Sequence, residues 1–128
     1  MTTPKIKRHP NGKVKSITYL KDGRFNNING PARCLYDING ALKMELYIIN
    51  GNQHRVDGPA ITEWHSNGAL RAIHYMTNGQ HHRTDGPSFI AWNIDGGVNK
   101  QHYYYKGQRI HCDSDEIFKK IIKLIAFK

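Results

Sequence analysis

Short runs of alternating hydrophobic and polar residues, each stopped by a turn dipeptide, set the rhythm of this chain. Ala60-Ile61-Thr62-Glu63-Trp64-His65 is one such run, rich in β-favouring residues and ending at Asn67-Gly68. Leu70-Arg71-Ala72-Ile73-His74-Tyr75-Met76 is the next, closed by Asn78-Gly79. Asn-Gly tolerates the positive φ of a type I′ hairpin turn, so that turn is expected after the first run. A loop from Gln80 to Asp85 then leads into Gly86-Pro87, where the proline, lacking a backbone donor, suits the first residue of a strand. An Asp or Asn ahead of it can hold the entry turn through its side chain. Successive short connections between adjacent strands predict an antiparallel meander.

The pattern repeats. Asn29-Gly30-Pro31-Ala32, Asp57-Gly58-Pro59-Ala60 and Asp85-Gly86-Pro87-Ser88 stand 28 residues apart without an insertion. Tyr19, Tyr47, Tyr75 and Tyr103 keep the same spacing, as do both series of turn dipeptides. A fixed period of this length marks a repeat array. The chain is therefore read as one repeat domain, 1–128, with units at about 9–35, 36–63, 64–91 and 92–113. Ile6 falls in register with Cys34, Thr62 and Ile90, so residues 3–8 are expected to form an opening strand. Beyond residue 113 the period changes to that of a helix, expected over about 114–127. Ser114 is the candidate N-cap, with Asp115 and Glu116 in the first turn where the helix dipole favours them. Ile117, Phe118, Ile121, Ile122, Leu124 and Ile125 form its apolar stripe opposite Lys119, Lys120 and Lys123. A terminal element unlike the repeats is expected to cap the array.

Alternation also assigns faces. Val14, Leu42, Leu70 and Val98 are expected to share an apolar core face with Leu20, Ile48, Met76 and Tyr104. Lys15, Lys43, Arg71 and Asn99 fall on the other side with the tyrosines, as a basic and aromatic strip. The net charge of +9 strengthens that picture, because it favours an acidic partner: protein, nucleic acid or anionic lipid. Two cysteines, Cys34 and Cys112, fall in different phases of the repeat and imply free thiols, not a disulfide framework. The start, Met1-Thr2-Thr3-Pro4-Lys5-Ile6-Lys7-Arg8, lacks the apolar core of a signal peptide, and no run is long enough for a transmembrane helix. A cytoplasmic location is the expectation.

The unit Trp64-His65-Ser66-Asn67-Gly68-Ala69-Leu70-Arg71, Tyr75-Met76-Thr77-Asn78-Gly79-Gln80 and His82-Arg83-Thr84-Asp85-Gly86-Pro87 resembles the MORN-like repeats of bacterial and viral proteins. The His-Arg-x-Asp-Gly-Pro-Ala phrase is similar to the form found in tailed-phage and giant-virus accessory proteins. The likeness covers about residues 9–113. The unit is longer than the usual MORN unit, and the Tyr-x-Gly phrasing is diluted. The resemblance implies a β-hairpin array and a small phage-type interaction protein. Its relatives include antitoxin-like proteins and, in eukaryotes, lipid- and protein-associated scaffolds.

The candidate chemistry is that of an array. His54, Arg55 and Asp57 recur as His82, Arg83 and Asp85, at identical register, whereas an acid–base site is needed only once. They are expected to be structural, with each arginine pairing to a carboxylate or carbonyl of a neighbouring repeat, and Arg55 and Arg83 forming part of a binding edge. The eight histidines show no third ligand at a fixed offset, so neither metal nor cofactor is expected. No phosphate-cradling Gly-rich loop and no nucleophile motif is present. Tyr103, Tyr104 and Tyr105 with Trp92 and Lys106 make an aromatic patch. The reading is a non-enzymatic interaction protein. By resemblance, it is a phage or mobile-element accessory protein that inhibits a host factor such as a defence nuclease or toxin, in the host cytoplasm. The expected partner presents an acidic or nucleic-acid-binding surface. Lys15, Lys43, Arg71, Tyr19, Tyr47, Tyr75 and Tyr103 supply the face, and Arg55 and Arg83 the loop edge. The alternatives are a basic module for nucleic acid or anionic lipid, and sequestration of a small nucleotide. Edge strands at the start of the array would allow a homodimer.

Overall fold

A computed structural model describes residues 3–126 of the chain. The opening strand is present: β1 (Thr3–Arg8) pairs antiparallel with β2 (Val14–Lys21), and Ile6 lies opposite Ile17. On its other side Ile17 lies opposite Cys34, which confirms the register of Ile6. β3 (Arg24–Phe25), β4 (Arg33–Tyr36), β5 (Leu42–Leu46), β6 (Ile48–Ile49), β7 (Asn52–Gln53) and β8 (Ile61–Trp64) follow. Then come β9 (Leu70–His74), β10 (Met76–Thr77), β11 (Gln80–His81), β12 (Phe89–Trp92), β13 (Val98–Tyr105), β14 (Gln108–Ile110) and α1 (Asp115–Ala126). The main sheet runs β1-β2-β4-β5-β8-β9-β12-β13-β14, an antiparallel meander without a crossover.

Each unit holds more than two strands and two turns. After its long second strand the chain folds into a short hairpin: β2–β3, β6–β7, β10–β11 and the end of β13 with β14. These hairpins stack on one another. Gly51 N donates to Phe25 O at 2.9 Å, Gly79 N to Gln53 O at 2.8 Å and Gly107 N to His81 O at 2.8 Å. Their turns carry positive φ at both central residues, 49° at Asn78 and 82° at Gly79, the pattern of type I′.

The expected type I′ turn at Asn67-Gly68 is corrected. Only Gly68 has positive φ, 87°, and His65 N donates to Ala69 O at 2.8 Å across a three-residue loop. Such a loop places a glycine-led bulge beside the turn. A second bulge, inside the following strand at Lys43, Arg71 and Asn99, takes Leu42, Leu70 and Val98 off the expected core face, whereas Ile48 and Met76 of that face are buried as expected. Leu35 pairs with Met44 but Tyr36 pairs with Leu42, so the count of alternation slips by one. Leu42, Leu70 and Val98 come opposite Tyr36, Trp64 and Trp92 instead of joining a core, and Leu70 and Val98 stay 42% and 53% exposed. The buried residues lie nearer the loop end: Ala32, Ala60 and Ser88 after the prolines, with Ile48, Met76, Ala72 and Thr62. Strands begin two residues beyond each proline, not at it.

Helix α1 starts as expected, with Ser114 Oγ accepting from Ile117 N at 3.2 Å; position 127 lies outside the described residues. It covers the tyrosine face at the C-terminal end, where Phe118 and Ile122 pack on Tyr103, Tyr105, Ile110 and Cys112. Ile117, Leu124 and Ile125 of the expected apolar stripe remain exposed. The opposite edge, β1, carries Pro4, Lys5, Lys7 and Arg8, residue types that resist edge-to-edge pairing.

Lys106 occupies the first type I′ position of the last hairpin at φ 49°, where the earlier units have Asp22, Asn50 and Asn78. A left-handed conformation costs a non-Gly residue about 1–2 kcal/mol, less for Asn. Lys106→Asn is therefore expected to stabilise the protein by about 0.5–1 kcal/mol, read as a higher urea midpoint. A lower midpoint would mean that the Lys106 contact over the Tyr105 ring, at 5.4 Å, outweighs backbone strain.

Candidate functional site

The register shifts fix the place of the basic row. Lys7 pairs with Ser16 and Arg8 with Val14, which leaves Lys15 without a partner across the strand. Lys43 is skipped in the same way between Leu42 and Met44, Arg71 between Leu70 and Ala72, and Asn99 between Val98 and Lys100. The predicted row is thus the row of bulged residues. A bulge bends its strand and re-aims the extra side chain outward. Lys15, Lys43 and Arg71 are all exposed, and none forms an ion pair among the described residues.

Beside them runs a second row that sequence reasoning left out of the site: Tyr36, Trp64 and Trp92, each half-buried. They keep the 28-residue period, which was the signal available for them. Two of the three strand ends are held by the neighbouring unit, with His9 Nε2 3.1 Å from Tyr36 O and His65 Nε2 2.9 Å from Trp92 O. Tyr36 shares the face of Cys34, which lies between Ile17 and Glu45; burial, followed by Cys34 and Glu45, raises its pKa and keeps it neutral. Burial, and then Glu45, pushes the Cys34 thiol up as well, so it is no reactive thiolate.

The other predicted residues divide differently. Arg55 lies flat on Tyr47, its Cζ 3.9 Å from the ring centroid, and Arg83 lies on Tyr75 at 4.0 Å. Arg55 Nε donates to Asp57 at 3.2 Å and its Nη1 to Pro59 O at 3.2 Å; Arg83 repeats both bonds with Asp85 at 2.9 Å and Pro87 O at 3.1 Å. The partners lie within the same loop, not in a neighbouring repeat as expected. A Cβ on Gly58 would meet Arg55 Cζ at 3.0 Å, and one on Gly86 would meet Arg83 Cζ at 3.3 Å. The glycine of Gly-Pro therefore makes room for the guanidinium. Tyr19 is half-buried on the same face. Tyr103 is 7% exposed beneath α1 and donates to Asp115 at 2.6 Å. Burial, followed by that hydrogen bond, pushes its pKa up to about 12. It is therefore removed from the accessible face.

The histidines are spent on structure. His54 Nδ1 accepts from Asn78 N at 3.0 Å and His82 Nδ1 from Lys106 N at 2.9 Å. Asn26 Oδ1 does the same for Asn50 N at 2.8 Å in the first unit. His74 and His102 flank Phe89, and His74 Nδ1 lies 3.2 Å from His81 Nε2. Among the described residues no group of three His, Cys, Asp or Glu is arranged to hold a metal. Two open clefts between successive loops, about 520 and 550 Å³, are lined by the Arg–Asp pairs and the tyrosines. No described helix is long and apolar enough to cross a membrane.

Comparison with protein-family models, with curated proteins and with solved structures returns no match. The functional reading therefore rests on the geometry.

Two outcomes are expected. Removing the Arg83 guanidinium while keeping its aliphatic bulk, Arg83→Met, should cost about 1–3 kcal/mol, since it leaves the Pro87 carbonyl and Asp85 without their donor. Equal stability by urea unfolding would show the stack to be incidental. Acid should also weaken the fold. Burial lowers the pKa of His74, His81, His82 and His102 from 6.5, aided at His82 by Lys106 and opposed at His74 by Glu63. Groups with depressed folded pKa bind protons more readily when unfolded, so their stabilising contribution is complete above pH 6.5 and fades as pH falls through the lowered folded values. His82→Asn, which copies Asn26, should match the parent in melting temperature at pH 7.5 and exceed it at pH 5. A parallel decline of both proteins would remove His82 from the acid response.

Proposed function

We propose that this chain is a non-enzymatic interaction protein that docks an acidic protein surface on its tyrosine face. The observation that carries the reading is the bulged row Lys15, Lys43 and Arg71, set beside Tyr36, Trp64 and Trp92. Three exposed cations next to a row of half-buried aromatic rings match the make-up of protein-interface hot spots, which favour Trp, Tyr and Arg. Exposed Leu70 and Val98, paired with Trp64 and Trp92, add apolar area at the same place. The rigid sheet below holds these groups before binding, which lowers the ordering cost of association. Arg55 and Arg83 act as internal fasteners in this proposal and leave the binding role to the bulge row.

The kind of partner rests on the resemblance to MORN-like repeats. On that basis the chain is an accessory inhibitor from a phage or mobile element, and its target is a host nuclease or toxin. Occupying an acidic or nucleic-acid-binding surface on that target would block it without chemistry.

The test compares capture of host proteins by the parent and by Lys15→Glu/Lys43→Glu/Arg71→Glu. One stoichiometric protein is expected with the parent, bound about 100-fold more weakly by the variant, since like charge at an interface costs several kcal/mol. Equal capture by both would overturn the assignment of the face. Recovery of nucleic acid alone, with affinity falling steeply between low and physiological salt, would overturn the protein partner.

A further inference from the structure

The first part of the array breaks its own repeat on the face away from the tyrosines. Ile61 and Phe89 stand where the earlier register places Lys5 and Arg33, and Lys7 precedes Leu35 at the next position of that face. Cross-strand pairing brings the cations together: Lys5 lies opposite Thr18, Lys7 opposite Ser16, and Arg33 opposite Thr18 from the other side. Phe25, opposite Leu20, closes one end. These side chains line a cleft of about 370 Å³ that contains no carboxylate. Three converging positive charges without a counter-charge repel one another; Lys5 and Lys7 also guard the β1 edge, but Arg33 lies on an interior strand at a position that later units fill with Ile61 and Phe89.

Arg33 is the sharpest sign. Its Nε is buried and has no hydrogen-bond partner, whereas the Nε of Arg55 and of Arg83 each donates to an aspartate. Its guanidinium carbon lies 5.6 Å from the centre of the Phe25 ring. Ser16 and Thr18 add two hydroxyls between the cations, and Leu20 and Phe25 add an apolar wall. Guanidinium, ammonium and hydroxyl donors together suit phosphate oxygens, and an aromatic ring beside an arginine suits a flat heterocycle. The volume is that of a small-molecule site and too small for an extended chain.

We propose that this cleft binds a small phosphorylated ligand with a flat apolar body, of the nucleoside monophosphate class. Lys5, Lys7 and Arg33 neutralise the phosphate, the Ser16 and Thr18 hydroxyls donate to its oxygens, and the base lies against Phe25 and Leu20. The site lies on the opposite face from the protein-docking strip and is independent of it.

The full chain would be titrated by calorimetry and by amide NMR with adenosine monophosphate, adenosine and inorganic phosphate in separate experiments. Adenosine monophosphate should bind one to one, with each fragment at least about tenfold weaker. Arg33→Ile restores the residue found at the matching position of the next unit. It should melt no lower than the parent, because it removes a buried unpartnered donor, and should lose at least about tenfold in affinity. Lys5→Gln/Lys7→Gln, on the exposed β1, should weaken binding in the same direction and decides the matter if Arg33→Ile does not fold. Undiminished binding by these variants would overturn the site. So would absence of binding at millimolar ligand. Phosphate binding as tightly as the nucleotide would overturn the nucleotide class.

Discussion

One extra residue per hairpin governs this molecule. In four successive hairpins the second strand carries a residue that its partner cannot match: Lys15, Lys43, Arg71 and Asn99. The mismatch lies inside the strand, beyond the glycine-led turn, and an alternating strand absorbs it by turning one side chain out of the ladder. Everything on the tyrosine face follows. Leu42, Leu70 and Val98 are carried to the aromatic side, the core retreats toward the prolines, and the cations are held clear of the sheet. The exposed cationic row and the small size of the core have the same cause.

The short hairpins solve the complementary problem. A single sheet of this size buries little apolar area, and among the described residues eleven large hydrophobic ones remain exposed. Stability must then come from satisfied polar groups at each step of the array. Each short hairpin hydrogen-bonds the one before it, and each His54- or Asn26-type acceptor reaches one unit forward to a backbone N–H. Arg55 and Arg83 tie the intervening loops to the tyrosines. A donor or acceptor lost from this set is shared by two units, so local damage spreads along the array.

What could be read from the residues alone follows the same division. Turn dipeptides, the opening strand through Ile6 and the helix cap at Ser114 are local signals, and each was legible. The turn geometry was not, because Asn-Gly serves two hairpin geometries, and the bulge was not, because no residue type at Lys15, Lys43, Arg71 or Asn99 marks a strand position left unpaired. Strict alternation along the second strand, from Leu70 to Met76 and from Val98 to Tyr104, then puts Leu70 and Val98 in a core where they do not lie. The row Lys15, Lys43 and Arg71 survived the error, since a bulged residue keeps the side that simple alternation assigns it. The stacking of Arg55 on Tyr47 spans only eight positions, yet it depends on the absence of a Cβ at Gly58, and a Gly-Pro turn explains that glycine equally well. Tyr103 kept the tyrosine period and lost its exposure to a helix whose packing side no periodicity specified.

Departure from the repeat separates role from architecture better than adherence to it. Residues that obey the period, such as the tyrosines, Arg55 and Arg83, are mostly explained by the bonds they make inside the array. Tyr103 obeys it too, but at the position where the chain departs into α1 it becomes the anchor of the cap through Asp115. Lys106 departs at a turn, and the backbone carries the strain. Arg33 departs at a position later taken by Ile61 and Phe89, on an interior strand where no cap, turn or sheet edge accounts for it. A cation that replaces an apolar residue, finds no acceptor and repels its neighbours raises the free energy of the folded chain unless something outside the chain compensates. In an array whose repeats are otherwise interchangeable, an uncompensated exception is the physical mark of a ligand.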